Sequence, residues 1–136
     1  MSRKSYSSGK NRADGNGTFL AIPHAILNAP LYPNLSAHAI KLLADIGAQY
    51  NGKNNGDLCA TWSLMKKRGW KSPDTLNKAR KELLESGLIK VTRAGGRHMA
   101  SLYALTWRPI NFCGGKLDIP ETVAAPGDWR KGMGAY

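Results

Sequence analysis

The chain has 136 residues, with 20 Lys and Arg against 9 Asp and Glu, a formal net charge of +11 and a hydrophobic fraction of 42%. That length suits one domain, no apolar run approaches the roughly 18 residues that span a bilayer, and two cysteines are too few for a disulfide scaffold. A cytoplasmic setting without a membrane partner is expected, and the basic excess favours a polyanionic partner.

Residues 1–17 are rich in Ser, Gly and Asn, and set Arg3, Lys4, Lys10 and Arg12 against Asp14. They have no apolar periodicity and no signal-like apolar stretch, so they are expected to form a disordered basic arm. The ordered part is expected over 18–108. It opens with Phe19-Leu20-Ala21-Ile22, then a short helix after Pro23 that carries Ile26 and Leu27 and ends at Pro30. Pro33-Asn34 marks a turn. Ser36 reads as the N-cap of a helix of roughly 13 residues, with Ala39, Leu42, Leu43, Ile46 and Tyr50 on one apolar stripe.

The Asn- and Gly-rich run 51–56 is a loop, and Asp57 to Ala60 is at most a stub of strand. Thr61 caps a second helix, Trp62 to Arg68, closed by Gly69. Ser72-Pro73 then pairs an N-cap with proline at the first helical position, and predicts a helix over 73–86 that buries Leu76, Ala79, Leu83 and Leu84. Leu88 to Arg93, with Ile89 and Val91 on one face, and Ser101 to Trp107, with Tyr103, Leu105 and Trp107 on one face, predict a hairpin. Gly95-Gly96 permits positive φ at its reversal. Residues 109–136 lose periodicity and read as an irregular C-terminal tail. Phe112, Leu117, Ile119, Val123, Trp129 and Tyr136 make that tail unusually apolar. They have three open fates: docking back on the domain, covering a second subunit, or meeting a protein partner.

The fold class is therefore mainly α with a β-hairpin (α+β). The charge is concentrated within it. Residues 66–97 hold ten basic residues against Asp74, Glu82 and Glu85, or +7, whereas residues 18–65 are neutral. A solvated face that merely keeps the protein soluble is the bland alternative. The stretches Leu35 to Leu43, Leu64 to Gly69 and Ser72 to Leu76, and above all Ala79-Arg80-Lys81-Glu82-Leu83-Leu84-Glu85-Ser86-Gly87-Leu88-Ile89, resemble the winged helix-turn-helix family. The lead-in from Ile22-Pro23 to Ser36 is similar to the N-terminal domains of phage and plasmid replication proteins.

That resemblance implies a three-helix core plus wing, with helix 73–86 entering the major groove of double-stranded DNA. Asp74, Lys78, Lys81 and Glu85 are expected outward, with Thr75 and Asn77 at the flanks; Asn77 suits adenine, and Lys78 or Lys81 suits guanine or phosphate. Lys66, Lys67 and Arg68 favour the helix dipole in any case, and the resemblance adds a backbone clamp. Lys71 and Ser72 lie in the turn. Arg93, Arg97 and His98 make a basic wing over 90–98, although basic edges also deter aggregation. Trp70 is expected between the second and third helices. The arm resembles minor-groove arms in composition alone. Together these groups would neutralise on the order of 5–8 phosphates.

Nothing points to catalysis or a cofactor. His24, His38 and His98 and the two cysteines lack metal-ligand spacing, and there is no P-loop, dinucleotide fingerprint or serine elbow. The leading expectation is a sequence-specific duplex-DNA binder, acting as a transcriptional regulator or a replication initiator of a mobile element. The alternative is a protein-interaction module or inhibitor that uses the winged helix and the apolar tail, 109–136, to bind a protein partner. Monomer and homodimer are both open, since no long heptad run exists.

Overall fold

The computed structural model describes residues 17–133. Arg3, Lys4, Lys10, Arg12 and Tyr136 lie outside the described residues. The chain is mixed α and β, of α+β type. Helices α1 (His24–Leu27), α2 (Ala37–Gly47), α3 (Trp62–Met65) and α4 (Pro73–Ser86) precede strands β1 (Ile89–Arg93) and β2 (Leu102–Leu105). Turns of 3-10 helix occupy Tyr32–Asn34, Lys66–Arg68 and Asp128–Met133.

Local chemistry explains the helix boundaries. Ser36 Oγ accepts the Ala39 amide at 3.1 Å, Thr61 Oγ1 accepts that of Leu64 at 3.3 Å, and Ser72 Oγ accepts those of Asp74 and Thr75 at 3.1 and 3.2 Å. Each cap satisfies donors that the first turn leaves without intrahelical partners. Three α-helices are shorter than expected; α3 ends at Met65, and Lys66–Arg68 continue it as a 3-10 turn. Helix α1 stops at Leu27, with Asn28 as C-cap, before reaching Pro30. Helix α2 stops at Gly47, which leaves Tyr50 half-buried on the following turn. Ala39, Leu42, Leu43 and Ile46 of α2 pack with Leu76, Ala79 and Leu83 of α4 in one core. Glu82 joins the two helices, accepting the Ser36 amide at 2.9 Å and the Ser36 hydroxyl at 2.6 Å.

The hairpin corrects two expectations. Ile89 and Val91 pair in regular register with Leu105 and Tyr103, but Val91 is 40% exposed, and the register shift that follows it, before Arg93, leaves Thr92 buried instead. An extra residue on one strand reverses the side-chain alternation beyond it. Thr92 Oγ1 satisfies itself inside by donating to Gly56 O at 2.6 Å. The reversal is not made by positive φ at Gly95-Gly96 either, because neither glycine adopts it. Gly96 and Met99 bridge each other, so the tip is Arg97-His98. Gly95 instead permits close approach, since a Cβ there would press on the Ser101 amide and the Met99 carbonyl.

The strand stub shrinks to one residue, Leu58, bridged to Tyr103 of β2. On the other side the tail lies along β1. Asp118 donates its amide to Thr92 O at 2.7 Å, and its carboxylate accepts the Ala94 amide at 2.9 Å. This blunts an otherwise open sheet edge. Of the three fates open to the tail, Trp129 takes the first: it is buried and joins the core. Leu117 leans over Gly56, and Phe112 and Val123 remain exposed. With the tail packed on one side, all four residues of β2 are buried, and the alternation expected there is lost.

Gly87 is where helix stop and tail meet. It caps α4 with φ +81, and a Cβ at this position would overlap the backbone of Asp128 and Trp129. Gly87→Ala is therefore expected to destabilise by about 2–3 kcal/mol, from left-handed strain plus the clash. Gly52, with φ +95 and open space around it, is the control. Urea denaturation of both alanine variants checks this: Gly52→Ala should lose clearly less, and equal losses would remove the clash from the account.

Candidate nucleic-acid interface

Helix α4 presents its expected outer face. Asp74, Asn77, Lys78, Lys81 and Glu85 are exposed, and Thr75 is half-buried. The exposed positions follow from the helical period once Leu76, Ala79 and Leu83 are committed to the core. The preceding 3-10 turn exposes Lys66, Lys67 and Arg68, and Lys71 is exposed in the connection to Ser72. At the hairpin tip Arg97 and His98 are exposed.

Exposure does not make each cation available. Arg68 Nε donates to Asp45 Oδ1 at 2.9 Å, so this guanidinium is spent on α2. Arg93 is turned into the hairpin, donating to Ala100 O at 2.7 Å, with its buried Nε unbonded. Lys90 pairs with Asp128 of the tail at 3.5 Å. Lys78 reaches Asp74 at 3.3 Å, but both side chains are 76% exposed, and such a pair contributes little. Ser72 Oγ is occupied as the N-cap. Lys66, Lys67, Lys71, Lys81, Arg97 and His98 have no ion pair among the described residues.

The turn that carries these cations is fixed from below by Asp45. Its Oδ2 accepts Trp70 Nε1 at 2.8 Å and Lys41 Nζ at 2.9 Å, while Oδ1 takes Arg68. Lys41 Nζ also donates to the Arg68 carbonyl at 2.8 Å. Burial pushes the Asp45 carboxyl up, but the bonds from Trp70, Lys41 and Arg68 outweigh it and hold the group below its ordinary value. Trp70 is buried as expected, yet its partners are on α2. Its indole bonds Asp45, and its ring lies 5.7 Å from that of His38. Nothing in the spacing of the sequence pairs Asp45 with Arg68 or Trp70, which are 23 and 25 positions away.

Other chemistry is sparse in the described residues. No group of three or more His, Cys, Asp or Glu is placed to hold a metal ion. Cys59 and Cys113 are free thiols; burial, and then the charge of Asp57, push the Cys113 thiol up. No helix among the described residues is long and apolar enough to cross a membrane. No family model, curated protein or solved structure matches the chain.

Proposed function

We propose that this chain is a winged helix-turn-helix protein that binds double-stranded DNA. In this reading α4 lies in the major groove, the 3-10 turn Lys66–Arg68 rests on the backbone, and the hairpin tip follows the adjoining groove. One observation carries it. Of the basic side chains without an ion pair among the described residues, Lys66 and Lys67 lie on the 3-10 turn, Lys71 in the connection to α4, Lys81 and half-buried Arg80 on α4, and Arg97 and His98 at the hairpin tip. Among the described Lys and Arg so left, only Lys53, Arg108 and Lys131 lie elsewhere. Arg68 and Arg93 act as internal braces for the clamp turn and the wing. Asn77 and Lys78 are the base-reading candidates, because both are exposed at the middle of α4 and Lys78 gives up only an exposed ion pair. A regulator and a replication initiator of a mobile element would both use this docking.

A second reading, a module for a protein partner, draws on exposed Phe112 and Val123 in the tail. Phe19, Leu27, Val91 and Met99 are exposed outside the tail as well, whereas Trp129 and Ile110 of the tail are buried in the chain's own packing.

Fluorescence anisotropy on the full chain with random-sequence duplex DNA tests the proposal. About five neutralised phosphates imply a slope of log K against log salt near −4 to −5. Lys67→Ala should weaken all sequences alike and flatten that slope by about one, whereas Asn77→Ala should relax sequence preference and leave the slope unchanged. Absence of binding at ~50 mM salt, where such contacts are strong, would sink the DNA reading.

A further inference from the structure

Between the Leu58 stub, the start of α3, the middle of α4 and the start of β2 lies a pocket of about 250 Å³, lined by Ala60, Thr61, Arg80, Ser101 and Tyr103. It contains no carboxylate. Arg80 is half-buried, and its guanidinium has no ion pair or hydrogen-bond partner among the described residues. Tyr103 is only 5% exposed, and its phenol oxygen, which keeps access to solvent, has no hydrogen-bond partner among the described residues. Ser101 Oγ accepts the Gly95 amide at 2.9 Å, which leaves its own proton free to donate.

An unpaired guanidinium, an unbonded phenol and a serine hydroxyl thus converge on one volume with donors to spare and no negative charge. The complementary ligand is a compact anion rich in acceptor oxygens, and the planar arginine fork suits phosphate in particular. At ~30 Å³ per water, the volume matches roughly eight waters, which is room for a phosphate together with part of the sugar that bears it. We propose that this pocket is a phosphate site that holds the phosphate of a single nucleotide unit through Arg80, Tyr103 and Ser101. It rests on the DNA reading only for the source of that phosphate, which is either a strand of bound DNA or a free phosphate ester.

The test uses the full chain and three probes: inorganic phosphate, a deoxynucleoside 5′-monophosphate, and duplex DNA. NMR titration with the monophosphate should shift the Arg80 Nε–H and Ser101 amide signals. Arg80→Gln should weaken that binding at least about tenfold, since it removes a charge-assisted bond. Tyr103→Phe keeps the ring in the core and should weaken it severalfold. Lys67→Ala, outside the pocket, should leave monophosphate binding unchanged while weakening duplex DNA. Saturation by inorganic phosphate at the same residues identifies a free anion as a sufficient ligand; loss of duplex affinity in Arg80→Gln identifies a strand phosphate. Duplex binding that ignores Arg80→Gln, with no response to either small probe, overturns the pocket and leaves the DNA reading intact. Monophosphate binding without duplex binding overturns the DNA reading and leaves the pocket.

Discussion

Asn55→Ala is expected to lower the free energy of unfolding by about 3–4 kcal/mol, the largest loss from any side-chain amide among the described residues. Asn55 is fully buried within a loop whose composition suggests only turn formation. Its Nδ2 donates to the carbonyls of Leu105, Arg108 and Pro109 at 2.9, 3.1 and 3.0 Å. Its Oδ1 accepts the Leu105 amide at 2.8 Å. Its backbone exchanges two further bonds with Asn111, at 2.8 and 2.9 Å. One side chain therefore ends β2, turns the chain into the tail and holds the 51–57 loop against both. Alanine leaves the Leu105 N–H without a partner away from water, and that loss outweighs the ~1 kcal/mol net value of an ordinary hydrogen bond. Chemical denaturation should show the loss as a lower midpoint with the denaturant slope retained. Asn51→Ala, which removes only an exposed 2.8 Å bond to the Lys53 amide, should cost less than about 1 kcal/mol. If the two variants prove equally stable, Asn55 is not the tie described.

Asp45→Ala is expected to cost about 3 kcal/mol and to carry a distinctive pH signature. The carboxylate is 7% exposed and receives Trp70, Lys41 and Arg68 together. Removing it orphans the buried indole N–H, whereas Lys41 and Arg68, each 43% exposed, can regain water. The sign of the pH effect follows from the lowered native pKa. The unfolded chain binds the proton more readily, so the Asp45 contribution is complete above the unfolded value of about 3.9 and is lost as pH falls through the lower native value. Denaturation of the wild type and Asp45→Asn across pH 2 to 7 should therefore give curves that differ most near neutrality and converge in acid. Parallel curves would show that the charge is not what braces the turn. Asp45→Asn should also weaken DNA binding beyond its effect on stability measured at the same pH, because the Lys66–Arg68 turn loses its anchor on α2.

The local layer of this fold was legible residue by residue. Ser36, Thr61 and Ser72 read as caps because a short side-chain oxygen before an apolar period has one strong local use. Helix 73–86 keeps the boundaries that Ser72-Pro73 and Gly87 imply. The exposed face of α4 follows from where its leucines sit. Less legible was the hairpin, where a single bulge after Val91 hides Thr92, since a one-residue insertion into pairing leaves no composition signal. The tail was harder still. Its bonds to Thr92, Thr106 and Ile110 are made by backbone groups that every sequence carries.

The candidate interface divides in the same way. That Lys81 faces water follows from helical periodicity; Lys66, Lys67 and Lys71 are exposed on the turn and connection before α4, and Arg97 and His98 at the hairpin tip. That Arg68 and Arg93 are consumed internally depends on partners that only folding supplies: Asp45 on another helix, and the Ala100 carbonyl across the hairpin. By itself the sequence determined the caps, the apolar stripes and the concentration of positive charge in 66–97, because these depend on neighbours within about one helical turn. The tertiary structure alone decided which of those charges stay free, how Asn55 and Asp45 tie distant segments, and that Arg80 and Tyr103 share one pocket. Such pairings join residues tens of positions apart, and their geometry exists only after the core has closed.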